Sequence, residues 1–534
     1  MKTGPWAAAL VLATSVLVSH LPLLNAGYVQ DDHVAVEGNA IVAAGDASAI
    51  VRAGYWEGVR GADRTLYRPV TVASFALERF VVGEAHPGIS HAVNLALHAL
   101  VCWLIFAIAV RCGVDPIAAL LAAVLFAVTP SKSEAVANIV GRSELLAALF
   151  TLSAARFALE SGVRSAAWAA ATCVLLAGAS KETGIAALPI VMIAASGERR
   201  LWDALGTIAP SILAFVVLVV LRTQALEAFF PAQVVAAIDN PLVREHGVRY
   251  GATAAALIAR YARIAVFPFG LANDYSGASI PIEASFLALT PLLGVALACG
   301  LAIAATRNRA SALFAAIVVV PYLAIGNVFV PAGAIFAERF LYLPVAGLSL
   351  LASLAIRATG RAGRLVAATA IVIFAVAMFV RSTEWKDDAT IFAATARHNP
   401  KSPKALYWLG RYDEALAAWP EIAGPWQDKG IQLAKDGDLA GAEAALRESA
   451  RLEPTRAAAH LNLGIVLHRQ GRLEPAEREV RKAVLLEPDN ARAFAELGHV
   501  RYESGKLAEA ASAYRRAVAL GRTDLLPRAN LGQN

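Results

Sequence analysis

Apolar residues in this chain come in blocks, and polar residues are confined to what lies between them until about residue 380. The blocks run roughly 6–25, 89–110, 116–130, 144–160, 165–180, 184–197, 204–221, 250–268, 284–305, 310–330, 338–356 and 365–380. A bilayer core takes about 20 mostly apolar residues per helix, fewer where neighbours cover it. The pattern predicts an all-α, polytopic membrane region. From Arg381 the pattern changes to charged, helical and soluble.

That second region repeats. Gly430, Gly464, Gly498 and Gly532 recur every 34 residues. Gly437, Gly471 and Gly505 keep the same step, as do Ala442, Ala476 and Ala510, and Pro454 and Pro488 mark repeat ends. A 34-residue period with Leu-Gly in one helix and Ala in the next is the tetratricopeptide pattern. Pro403 to Trp419 reads as a shortened earlier repeat. Such arrays stack into an α-solenoid with a concave surface suited to a peptide or protein; a cap or dimerisation module is the plainer reading. The expected domains are 1–380 in the membrane, a linker over 381–402, and repeats over 403–534.

Composition sharpens this division. Only 17% of residues are charged, against about a quarter in a soluble protein. The net charge of +6 lies mostly in short loops, which reads as membrane topology rather than nucleic-acid binding. Cys102, Cys112, Cys173 and Cys299 sit in or beside apolar blocks with no zinc or disulfide spacing. Arg111, Arg156 and Arg164, Glu198-Arg199-Arg200, Arg307 and Arg309, and Arg357, Arg361 and Arg364 fall on one side only if 250–268 does not cross. That block is therefore expected to be interfacial or re-entrant. About eleven spans remain, the first uncleaved. The N-terminus is then cytoplasmic, and loops 25–88 and 222–283 and the repeats lie on the other side.

Candidate chemistry gathers at that far side. Asp31 and Asp32 follow the first span, in a loop too long for a simple connection. Tyr55-Trp56 and Arg64 to Val70 come later in that loop. His91, Asn94 and His98 share one face of the next helix by their spacing. Lys132, Glu134, Asn138, Arg142, Glu144, Lys181, Glu182, Glu338, Arg339 and Tyr342 sit at span ends. Ionisable groups at membrane depth are costly and usually mark a site. Local ion pairs (Lys181 with Glu182, Arg142 with Glu144, Glu338 with Arg339) are the structural alternative.

Gln30-Asp31-Asp32-His33, Tyr67-Arg68-Pro69 and His91 to His98 resemble the transmembrane-and-TPR protein O-mannosyltransferases. So do Thr129-Pro130, Glu134-Ala135-Val136, Val140 to Leu146, Ser180 to Gly184 and Ala337 to Pro344. The resemblance implies a GT-C type membrane fold. It also implies transfer of a sugar, mannose in that family, from a polyprenyl-phosphate carrier to Ser or Thr of a protein. The family's acidic pair falls on Asp31 and Asp32. The repeat array here is shorter than in animal relatives.

The residue chemistry agrees with such a reaction. A hydroxyl nucleophile needs a carboxylate to take its proton, and neighbouring carboxylates disfavour double ionisation. Either aspartate serves as base at this point. Arg68, Lys132, Arg142, Lys181 and Arg339 are candidates to hold the lipid phosphate, with His91, Asn94, His98, Glu144, Glu182, Glu338 and Tyr342 in support. No cofactor beyond the lipid-linked donor is implied, and no ligand cluster demands a divalent metal on the acidic pair. The rivals are a non-catalytic membrane-anchored scaffold for envelope or secretory proteins and, ranked below it, a lipid-linked-glycan transporter. The composition points to a bacterial inner membrane with periplasmic repeats, or to an endoplasmic-reticulum membrane with lumenal repeats.

Overall fold

The structure, a computed structural model, describes residues 5–57, 59, 65–160, 163–196, 201–228, 235–522 and 524. Arg64, Glu198-Arg199-Arg200 and Gly532 lie outside them. Every regular element among the described residues is a helix, and contacts divide the chain into two units, Met1–Pro400 and Lys401–Asn534.

The first unit begins with α1 (Pro5–His20), then a loop carrying α2 (Ala40–Ala44), α3 (Ala47–Arg52) and α4 (Pro69–Val82). There follow α5 (Pro87–Arg111), α6 (Pro116–Val128), α7 (Ser133–Ala137), α8 (Arg142–Ala158), α9 (Arg164–Ser180), α10 (Ala187–Ala195) and α11 (Leu201–Leu226). It closes with α12 (Gly247–Val266), α13 (Leu289–Ala305), α14 (Arg309–Ile325), α15 (Tyr342–Thr383) and α16 (Asp388–His398). The helix α1 buries Ala8, Leu12 and Val16 while Trp6, Leu10 and Val18 stand exposed. A water-facing helix would be polar on that second face; apolar residues all round suit lipid.

Trp6–Asn25, Pro87–Arg111, Ala204–Leu226 and Glu338–Thr383 are long and apolar enough to cross a bilayer. Pro116–Val128 and Pro130–Ala137, bent by 58°, make a fifth if they form one crossing. Glu182–Ala195, Leu289–Ala305 and Arg309–Ile325 are apolar but shorter, so among the described residues helix length alone does not yield the expected eleven spans. At 42 residues α15 would measure about 63 Å, twice a bilayer core. It is broken at Gly360, whose φ of 59° and ψ of −124° are not helical; the blocks at 338–356 and 365–380 meet at this hinge. The helix α12 is not among the apolar candidates: it buries Ala252 to Leu257, Tyr261 and Ile264 and exposes Arg249 and Arg263. The stretch expected as a linker is ordered in the first unit through Pro400: α15 runs to Thr383, Trp385 is fully buried, and α16 follows.

Among its described residues the second unit holds a short pair, α17 (Pro403–Trp408) and α18 (Tyr412–Ala418), then three full pairs. These are α19 (Ala423–Lys435) with α20 (Leu439–Leu452), α21 (Ala457–Arg469) with α22 (Leu473–Leu486), and α23 (Ala491–Glu503) with α24 (Leu507–Ala519). Each full pair turns through a glycine, Gly437, Gly471 or Gly505, at φ between 74° and 91°, a conformation that disfavours a Cβ. Ala442, Leu446, Leu463, Val466 and Leu467 join adjacent repeats in a shared core. A cavity of about 430 Å³ in this unit is lined by Tyr412, Asp428, Ile431, Gln432 and Lys435.

Candidate functional site

Chain turns converge at the end of the first unit that carries Asp31. They are the stretch after α1, the segment 130–141 between α6 and α8, the turn after α9, and the start of α15. The two adjacent aspartates sit in different surroundings. Asp31 is exposed, whereas Asp32 has no accessible surface. Asp32 Oδ2 accepts from the backbone N–H of Val29 at 3.1 Å and Ile139 at 3.3 Å, and Oδ1 accepts from Val140 at 2.8 Å. It therefore stitches the first loop to the 138–140 turn. Burial pushes its carboxyl up to about 7 against the pull of those three donors, and the charge of Asp31 contributes last. The neighbour effect expected from sequence is thus secondary to desolvation.

The face of α5 carrying His91, Asn94 and His98 points into the protein, and all three are fully buried. Asn94 donates to the carbonyls of Val136, Asn138 and Ile139 at 3.3–3.4 Å and accepts from Arg142 Nε at 2.9 Å. His91 Nε2 reaches the carbonyl of Gly27 at 3.4 Å. So α5 supports from within the same two turns that Asp32 joins. His98 lies deeper, bonded to Tyr342 at 2.7 Å and to Lys132 Nζ at 3.1 Å.

The ion pairs are where the structure departs most from expectation. Lys181 pairs with Glu144 at 2.7 Å, not with Glu182; Arg142 pairs with Glu78 at 2.6 Å, not with Glu144. Arg339 bonds Glu134 through its side chain and, at 2.9 Å, its backbone N–H. Glu338 turns the other way, accepting from Tyr275 at 2.8 Å with Arg381 at 3.5 Å. Residues one or two apart on a helical turn point in different directions, so each charge finds its partner on another element. Arg68 holds Glu182 at 2.7 Å and lies over the Tyr55 ring at 4.9 Å, while Arg222 approaches the other Glu182 oxygen at 3.6 Å. Burial works against the charge on Arg68, but Glu182 keeps its pKa above the ordinary value.

Exposure separates these cations. Lys132 and Arg142 have no accessible side-chain surface: Lys132 bonds His98 and the Ala127 carbonyl, and Arg142 is surrounded by Glu78, Asn94, the Ser90 carbonyl and the Phe75 ring. Lys181 is nearly covered. Arg339 is 40% exposed and Arg68 13%. Asp31 lies within electrostatic reach of Arg339 and Tyr55. Sequence reasoning missed Arg222 and Glu78; their signal was charge beside an apolar stretch, the same one that drew attention to Arg142. Among the described residues no group of three or more His, Cys, Asp or Glu is arranged to hold a metal ion.

Fold and site together define an all-helical protein with membrane-length apolar helices, a charged cluster at one end of them, and a helical-repeat unit. A tetratricopeptide-repeat family model matches residues 433–498. The chain is similar to protein O-mannosyl-transferases. It is 25% identical over 441 residues to TMTC3 of Mus musculus, covering 74% of this chain and 45% of that one. It is 27% identical over 417 residues to F38B6.6 of Caenorhabditis elegans, covering 75% and 59%. It thus spans about half the length of these curated relatives. Among solved structures, the second TPR of Spaghetti (RPAP3) bound to an HSP90 peptide is 26% identical, with 18% of this chain and 91% of that chain covered and a TM-score of 0.18.

Proposed function

We propose that this protein transfers a sugar, mannose by analogy with its relatives, from a polyprenyl-phosphate carrier to a hydroxyl of a protein at the non-cytoplasmic membrane face. One observation carries the reading: an exposed aspartate lies within electrostatic reach of a partly exposed arginine, and its buried neighbour is spent on holding the turn. A base must reach the proton it takes, which assigns the role to Asp31. The acceptor oxygen attacks the anomeric carbon and its proton passes to Asp31. The bond from that carbon to phosphate oxygen breaks on the opposite face, so configuration inverts.

The leaving polyprenyl phosphate needs only positive charge around it. Arg68 and Arg222 facing the single carboxylate of Glu182 leave that trio net positive, and Arg339 adds an accessible guanidinium. Lys132 and Arg142, held inside, act on the site by supporting the turns rather than by touching phosphate. The acceptor chain is taken up by the repeats, with the cavity between Tyr412 and Lys435 as its seat. Sidedness follows the arginine distribution, with Asp31 and the repeats opposite the cytoplasmic loops.

The test is transfer of labelled mannose from mannosyl-phosphoryl polyprenol to a Ser/Thr peptide by the full chain in liposomes. Asp31→Asn lowers the rate by at least about a hundredfold, as expected for loss of a general base. An unchanged rate sinks the assignment.

A further inference from the structure

The residue before the proposed base has an unusual backbone. Gln30 sits at φ +51°, a left-handed conformation that a side chain bearing a Cβ rarely adopts and that needs support from its surroundings. That support comes from the far end of the unit. The N–H of Gln30 donates to Asp388 Oδ1 at 2.8 Å, across 358 positions of chain. Asp388 Oδ2 lies 3.5 Å from His33 Nε2, just past the pair, and the N–H of Gly27 donates to the Lys386 carbonyl at 2.9 Å. The 27–33 turn is thus gripped on both flanks by 386–388.

The gripping element is itself anchored. Asp387 caps α16 through the Thr390 N–H at 2.8 Å. Asn399 donates to the Asp274 carbonyl and to Ser279 Oγ, both at 2.8 Å, and Thr395 Oγ1 accepts from Asn273 N–H at 3.2 Å. An aspartate in the first turn of a helix is favourable by its interaction with the helix dipole alone. Here, however, the cap belongs to Asp387, and the Asp388 carboxylate accepts from Gln30.

We propose that Asp388 is a positioning residue for the transfer reaction: it holds Gln30 in its left-handed conformation and thereby aims Asp31 into the site. The inference rests on the role of Asp31 argued above. It makes α16, the last helix before the repeats, part of the active-site frame rather than a connector. Without the clamp, Gln30 relaxes toward ordinary backbone, and the fraction of molecules with Asp31 in place falls.

The experiment uses the full chain in liposomes with two readouts. The first is kcat and KM for mannosyl-phosphoryl polyprenol; the second is amide hydrogen exchange of the peptide covering Tyr28–Val34. Asp388→Ala removes the acceptor, and kcat falls roughly 5- to 30-fold, the population cost of one strained residue, with KM within about twofold. Exchange in the peptide speeds up. Asp388→Asn keeps an oxygen for the Gln30 N–H and stays within about threefold of the parent. Gln30→Gly in the Asp388→Ala background restores part of kcat, because glycine adopts positive φ without a clamp.

The proposal is overturned if Asp388→Ala leaves kcat unchanged, if Asn and Ala are equally damaging with no rescue by glycine, or if exchange is unaltered. Should the parent protein transfer no sugar, the enzymatic reading fails. The clamp is then judged on exchange alone, where equal protection in the parent and in Asp388→Ala refutes it.

Discussion

The exchange of partners among the site's charges can be measured. Lys181 and Glu144 are 2.7 Å apart with side chains 9% and 5% exposed, so removing either leaves a charge buried without its counterion. Such a break costs about 3–5 kcal/mol, while replacing both members by neutral groups of like size is close to neutral. Lys181→Met and Glu144→Gln should each be strongly destabilising and the double variant far less so, giving a coupling of about 2–4 kcal/mol. Lys181 combined with Glu182→Gln should couple by less than about 0.5 kcal/mol, since Glu182 belongs to Arg68 and Arg222. The assay is a double-mutant cycle on unfolding of the detergent-solubilised protein. A coupling to Glu182 that equals or exceeds the coupling to Glu144 would refute cross-element pairing and restore the local pairs that the sequence suggests.

Two further outcomes follow from the same geometry. Asp32 has a carboxyl near 7 when folded against 3.8 when unfolded, so the folded state holds more protons between those values. Stability therefore falls as pH rises from about 4 to about 7, by up to about 4 kcal/mol, and levels off above; thermal midpoints of the parent minus those of Asp32→Asn should show this slope, and parallel curves would exclude it. Arg222→Ala should raise KM for the polyprenyl-phosphate donor about tenfold through loss of a charge-assisted contact with a smaller effect on kcat; a change confined to the acceptor peptide's KM would move Arg222 out of the phosphate site.

Within the candidate site, the sequence named most of the participants but not their relations. Asp31, Asp32, Arg68, Glu144, Lys181, Glu182 and Arg339 stood out because charge beside apolar blocks is expensive and draws notice wherever it falls. Which of two adjacent aspartates is accessible depends on whether backbone N–H groups from residue 139 and 140 arrive at one of them. That is a property of a turn more than a hundred positions away. Asp388 was invisible for the same reason: as an acidic residue opening a helix it looks ordinary until Gln30 is seen against it.

The 34-residue period determined the repeat unit on its own, because every contact in such an array is with a near neighbour and each copy carries the whole rule. Blocks of apolar residues likewise determined that the first unit is helical and suited to lipid. Tertiary structure alone decided where those helices bend and stop, as at Pro130 and Gly360, and hence how many are long enough to cross. It alone decided the pairing of buried charges as well, since opposite charges attract across space without regard to their distance along the chain.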